Sequence, residues 1–218
     1  MTIFLHKHYL WVYFILFYLI WTFRELWLVD FINTMDPNVA AIVGAVIKLL
    51  VWVAPIIILV KLVEKKEPLK FLGLRENLSK GFGWATWVSF ALVIYFIMVN
   101  LLFSQTELNL NLGLHTWLNT VILVGITEEI VFRGFILRKL MQQFTFWKAN
   151  SITALLFLTI HFPIWFHHGL FESPGILFTF IQVFIIGFIF GLIYRKSNSL
   201  WSVIIIHSVY NLGVSIFI

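Results

Sequence analysis

Long apolar runs dominate this chain, and their length rather than their periodicity is informative. A helix needs about 20 apolar residues to cross the hydrocarbon of a bilayer, and such stretches fall at roughly 9–31, 39–60, 82–104, 116–138, 149–166, 174–194 and 198–217. The pattern predicts an all-α fold, a polytopic membrane bundle of about seven transmembrane helices. It forms one membrane domain over residues 1–218, with the N-terminal spans in 1–114 and the polar motifs in 115–213. Arg24 and Glu25 interrupt the first span, which either ends at Phe23 or carries both residues snorkelled near the outer interface. The N-terminus lacks a small-residue cleavage site and is rich in Trp and Tyr, so it reads as a retained first helix rather than a signal peptide.

Composition agrees with the pattern. Hydrophobic residues make up 61% of the 218 and charged residues 11%, with mean hydropathy +0.97, far from the balance of a soluble domain. The absence of cysteine removes disulfides, thiol nucleophiles and thiolate zinc sites from consideration. A net charge of +5 invites a nucleic-acid reading, but the basic residues sit at membrane edges, so no nucleic-acid partner is expected. Placing the N-terminus in the cytoplasm puts twelve Lys and Arg inside and Arg24 alone outside, with Lys48 and Arg133 within spans. That asymmetry predicts a multi-pass protein of the cell membrane whose C-terminus lies outside. The loop Lys61–Arg75 is basic with apolar residues between, and is read as a solvated connector carrying the inside charge or as a segment lying on an anionic leaflet.

Ionisable side chains inside spans are costly, and here they cluster. The fourth span carries Glu128, Glu129 and Arg133, the fifth His161, and the seventh His207 and Asn211. At 1.5 Å per residue, Glu128 lies about 18 Å from the outer end of its span, His161 about 18 Å and His207 about 14 Å from the inner ends of theirs. All three reach one layer near the bilayer centre. Glu129 and Arg133 are four apart and can pair along the helix. Glu128 points about 100° away from Glu129, which leaves one carboxylate aimed at another helix. His207 and Asn211 share a face.

Two carboxylates, two imidazoles and an amide in a dry pocket suit hydrolysis of an amide. A buried Glu can take a proton from water, and imidazole and amide N–H groups can donate to an oxyanion. Competing protease chemistries lack their residues. There is no His-Glu-x-x-His for zinc, and the only aspartates, Asp30 and Asp36, lie in or beside the first outer loop.

Glu128-Glu129-x-x-x-Arg133, Phe157-x-x-x-His161 and His207-x-x-x-Asn211 together resemble the three motifs of the CAAX prenyl protease and bacteriocin-processing (CPBP, or Abi) family. Phe132-Arg133-Gly134 and Ser199-Leu200-Trp201 add to the likeness, which covers about 115–213. The resemblance implies a helical intramembrane endopeptidase acting on a membrane-bound peptide or protein. It makes Glu128 the base that activates water, has Glu129 and Arg133 order the site and His161 hold the water, and assigns the oxyanion to His207 and Asn211. It leaves the cofactor open. A zinc ion held by His161, His207 and Glu128 and a metal-free glutamate mechanism use the same residues. Two other functions compete. One is a non-catalytic bacteriocin self-immunity or scaffold protein of the same fold; the other is a transporter, for which no repeat is visible.

Three further features stand outside the motifs. His167 and His168 form an adjacent pair near an interface, read without a ligand. Lys48 lies mid-span and either salt-bridges, snorkels or meets a substrate carboxylate. Gly187-Phe-Ile-Phe-Gly191 permits close helix approach, inside the chain or in a homodimer.

Overall fold

The structure is a computed structural model that describes residues 2–104 and 107–217, with side chains for 9–103 and 107–217. Among the described residues every regular element is helical. Six helices are long and apolar enough to cross a membrane: α1 (Tyr9–Asn33), α2 (Pro37–Leu62), α4 (Leu78–Phe103), α6 (Phe146–His167), α7 (Ile176–Ser197) and α8 (Leu200–Phe217). A one-turn helix, α3 (Pro68–Phe71), lies between α2 and α4. The remaining long helix, α5 (114–140), is also continuous, and it carries Glu128, Glu129 and Arg133. The seven expected spans correspond to these seven long helices.

α5 is the axis of the bundle. From Ile130 to Leu137 every residue is buried, and within that stretch the helix widens into π-type turns. Tyr13 packs edge-on against Phe135, Trp52 against Phe132, and Phe157 against Phe132. Apolar faces of α1, α2, α4 and α7 stay exposed, with Leu19, Leu50, Phe90 and Phe178 all more than half exposed, as lipid-facing positions require. α8 meets α5 at Gly125, where an added Cβ would stand 2.9 Å from the Ile204 carbonyl oxygen. α7 meets α6 at Gly191, whose missing side chain makes room for Asn150. The Gly187–Gly191 face is therefore occupied inside the chain.

α1 does not stop at Phe23. It continues through Arg24 and Glu25 to Asn33, and these two residues do not snorkel outward. Glu25 is 4% exposed and accepts a 2.7 Å hydrogen bond from Arg24. Mutual neutralisation lets both face the bundle. α2 begins on a side-chain cap, with Asp36 accepting from the Asn38 and Val39 amides, and Pro37 occupying the first turn. Later Pro55 cannot take its place in a regular ladder, and over Leu49–Val53 the helix opens so that the Ala54 amide reaches back to Leu49.

The loop after α2 departs from the connector expected of it. Phe71 and Leu72 are buried, and the segment is clamped beneath the bundle. Arg138 donates to the Phe71 carbonyl at 2.6 Å and to Glu76 at 2.8 Å, and also bonds the Tyr194 hydroxyl. Trp201 donates to the Leu74 carbonyl, and the Leu200 amide to Gly73. Alternating basic residues told of the charge but not of these long-range partners.

The same end holds Glu64, which accepts from Lys139 at 2.7 Å and from the Tyr9 hydroxyl. Burial pushes the Glu64 carboxyl up, but the hydrogen bonds from Lys139 and Tyr9 and the nearby Lys139 charge outweigh it and hold it below the usual carboxylate value. A depressed carboxyl stabilises the fold above its unfolded pKa and loses that contribution as pH falls through the folded value. Melting curves of the protein and of Glu64→Gln should therefore differ at pH 7 and converge well below pH 4.

Candidate active site

The site is built where α5, α6, α7 and α8 meet. Glu129 and Arg133 lie one turn apart on α5, and both are completely buried. Arg133 Nη1 donates to Glu129 Oε1 at 2.8 Å, while Nη2 donates to the Gly187 carbonyl of α7 at 2.7 Å. The guanidinium also lies over the rings of Phe157, at 4.7 Å, and Phe190, at 5.5 Å. Glycine at 187 matters here, since an added Cβ would lie 3.0 Å from the Phe157 ring.

Glu129 Oε1 has a second partner, His207 Nδ1 of α8, at 2.8 Å. A carboxylate accepts, so Nδ1 carries the proton and Nε2 faces away from Glu129. Nε2 stands 4.0 Å from Oε2 of Glu128, too far for a hydrogen bond and close enough to share one bridging atom. Glu128 is 7% exposed, and its Oε2 has no hydrogen-bond partner among the described residues. Arg133, Glu129, His207 and Glu128 thus form an ordered series. Arginine fixes one glutamate, that glutamate fixes the imidazole, and the imidazole looks at the other glutamate.

His161 enters from a break in α6. Pro163 has no amide to give the Thr159 carbonyl four residues earlier, so the helix interrupts at Ile160 and His161. The Tyr18 hydroxyl of α1 supplies the missing donor to Thr159 at 3.1 Å. The Phe157 carbonyl accepts instead from His161 Nδ1 at 2.8 Å. A carbonyl cannot donate, so this fixes the tautomer and leaves Nε2 as the free acceptor. The Phe157 ring touches both imidazoles edge-on, with centroids 5.1 Å from His161 and 6.2 Å from His207.

Asn211 departs from the others. Its Nδ2 donates to the Thr120 carbonyl of α5 at 2.9 Å, which ties α8 to α5 one turn beyond His207 and leaves one N–H for other use. Among the described residues no three of His, Asp and Glu are gathered closely enough to hold one metal ion, so His161, His207 and Glu128 do not form a zinc cage in this conformation. Phe157 stood in the second motif without a stated role, and Phe190 and the Gly187 carbonyl were not legible as site components.

A polar cavity of about 370 Å³ opens beside this layer, at the end away from the Arg138 clamp. Arg24, Glu25, Lys48, His115, Asn119 and His168 line it. Thr120 and Val124 also line it, eight and four residues before Glu128, as do Ile164 and His168, three and seven after His161. Helical spacing makes Glu128 and His161 the next turns inward along those walls.

The buried pair yields a direct stability test. Arg133→Leu should leave Glu129 uncompensated in the bundle and cost about 3–5 kcal/mol. Thermal unfolding in detergent should show the loss, and Arg133→Leu combined with Glu129→Leu should recover part of it.

Comparison with known proteins bears on this arrangement last. Residues 110–213 match the family model described as type II CAAX prenyl endopeptidase Rce1-like, a stretch that holds every motif residue from Glu128 to Asn211. No curated protein and no solved structure matches the chain. The second half of this multi-pass membrane chain is thus similar to the type II CAAX prenyl endopeptidase family, Rce1-like.

Proposed function

We propose that this protein is an intramembrane endopeptidase that hydrolyses a peptide bond of a membrane-bound peptide or protein by a glutamate-activated water. The observation that carries the reading is the division of labour between neighbouring glutamates. Both keep a buried Oε2 without a hydrogen-bond partner among the described residues, but Glu129 is held through Oε1 by Arg133 and His207, whereas Glu128 is hydrogen-bonded to neither.

Glu128 takes a proton from water while the water oxygen attacks the scissile carbonyl carbon, and the carbonyl electrons move to oxygen. His161 Nε2, its tautomer fixed by the Phe157 carbonyl, accepts the water's other hydrogen and aims a lone pair at the substrate. His207 can donate from Nε2 only as an imidazolium, since Nδ1–H is spent on Glu129. The Glu129 carboxylate supports that cation as the carboxylate of a serine-protease triad supports its histidine. Nε2–H then binds the oxyanion, with the spare Asn211 N–H as a second donor. Collapse breaks the C–N bond, and the proton on Glu128 passes to the leaving amine. Every group in this scheme comes from the chain itself. Lipid is the solvent of the outer faces, and no nucleic acid enters.

Glu128→Gln keeps shape and removes the base. It should lower turnover of a farnesylated CAAX peptide by about 100- to 10,000-fold with the melting temperature unchanged. The wild-type preparation should turn over without stoichiometric zinc. Near-normal turnover by Glu128→Gln, or activity that follows removal and return of bound zinc, would defeat the mechanism.

The charge asymmetry supports an orientation with the Arg138 clamp in the cytoplasm and the polar cavity opening outside. A reporter at the N-terminus should then read cytoplasmic and one fused after residue 218 external. The reverse labelling would invert the side from which substrate arrives.

A further inference from the structure

Charge at the Arg138 end of the bundle does not balance. The ends of α5 and α7 and the loop after α2 enclose a pocket of about 380 Å³, whose walls hold Lys66, Arg138, Arg195 and one carboxylate, Glu76. A second hollow of about 370 Å³ shares Lys66, Phe71, Glu76 and Arg138 and adds Lys70 and Glu67. The carboxylates at this end are all spent. Glu76 pairs with Arg138 at 2.8 Å, Glu64 with Lys139 at 2.7 Å and Glu67 with Arg75 at 3.5 Å. Among the described residues Lys66 and Arg195 belong to no ion pair. Each lies over an aromatic ring instead, Lys66 Nζ 5.3 Å from the Phe71 centroid and Arg195 Cζ 4.2 Å from that of Phe146. A ring holds a cation in place without cancelling its charge.

Cations at helix ends commonly serve the last carbonyls, but here those carbonyls are filled by main-chain amides. Tyr194 accepts from Asn198, Leu137 from Met141 and Leu140 from Phe144. The Gln142 side chain adds a neutral donor to the same pocket, because its Oε1 already accepts from Lys139 at 2.8 Å and its amide N–H groups are left over. The pocket therefore presents two uncompensated cations and an amide, with room for more than a bare phosphate. Its surroundings are apolar and open. Met141 of the pocket wall and Leu69 beside Lys70 are each 38% exposed, and Trp147, next to the Phe146 that carries Arg195, is 59% exposed. A free anion has no use for that rim, whereas acyl chains do.

We propose that this pocket is a binding site for the headgroup of an anionic phospholipid, its phosphate held by Lys66 and Arg195 and its chains lying along the exposed Met141 and Trp147. Basic hollows between membrane helices at the positively charged face suit such headgroups. The lipid joins the loop after α2 to the ends of α5 and α7, the helices that carry Arg133 and its partner carbonyl at Gly187. It thus reinforces the clamp that Arg138 makes with the Phe71 carbonyl, Glu76 and Tyr194. No residue of the hydrolytic scheme takes part, so the site stands or falls independently of that reading.

Native mass spectrometry of the full-length protein in mild detergent, titrated with dioleoylphosphatidylglycerol or dioleoylphosphatidylcholine, tests the site. The anionic lipid should bind about 20- to 30-fold more tightly, roughly fivefold for each cation. Lys66→Gln combined with Arg195→Gln should bring it down to the level of phosphatidylcholine. Lys61→Gln combined with Lys80→Gln removes the same charge from exposed positions outside the pocket and should leave the preference in place. Equal affinity for the two lipids, or equal loss in both double variants, overturns the proposal, the second outcome meaning diffuse attraction to a basic surface. Displacement of the lipid by millimolar inorganic phosphate would mark a free-anion site and overturn the lipid as occupant. Hydrogen exchange on the wild-type protein in nanodiscs locates the lipid without any variant. Amides of residues 64–76 should exchange more slowly with phosphatidylglycerol present, and protection confined to other segments contradicts the assignment.

Discussion

The arrangement depends on one buried charge pair. Arg133 and Glu129 are wholly enclosed between α5, α6 and α7, in a medium where neither charge survives alone. Their pairing sets the rest. Arg133 reaches the Gly187 carbonyl and thereby fixes α7 against α5, and Glu129 reaches His207 and fixes α8. The two glycines of α7 are small because Phe157 and Asn150 occupy the space that side chains would need. A polar pair that costs stability on its own becomes the peg on which three helices register. That is a use of buried charge better matched to specificity than to stability.

The pair also explains how adjacent, chemically identical residues take different roles. Arg133 and His207 both bind the same oxygen of Glu129, which leaves that side chain no freedom to move toward substrate. Glu128, about 100° around the helix, escapes both. The break in α6 complements this asymmetry. Pro163 frees a carbonyl, Tyr18 caps it, and the local unwinding turns His161 so that its own ring satisfies Phe157. Two imidazoles from two helices are thus each locked through Nδ1, one by a carboxylate and one by a carbonyl. In both, Nε2 is left out of that lock.

Much of this was legible in the order of residues. The length of the apolar runs gave the seven long helices, and the four-residue spacing of Glu129 and Arg133 gave their pairing. Matched depth brought His207 toward Glu128. The same reasoning was silent wherever a partner came from afar. His207 and Asn211 share a face, yet one meets Glu129 and the other the Thr120 carbonyl, because α8 leans along α5. Arg24 and Glu25 looked like an interfacial interruption and are instead a neutral pair turned inward. The loop after α2 displayed its basic residues but not the carbonyls that Arg138 would seek. Contacts between helices depend on rotation about each axis, and a lipid-facing side is as apolar as the buried one, so periodicity carries little of that information.

The central claim is that Glu129 belongs to the scaffold and Glu128 to the reaction. An experimental structure of Glu128→Gln holding an uncleaved farnesylated peptide tests it most directly. The account predicts the scissile carbonyl beside residue 128, with its oxygen toward His207 Nε2. A water should lie between residue 128 and His161 Nε2, with the Arg133–Glu129–His207 contacts unchanged. A peptide whose reacting carbon faces Glu129, or a metal ion bridging His161 and His207 to it, would contradict the account.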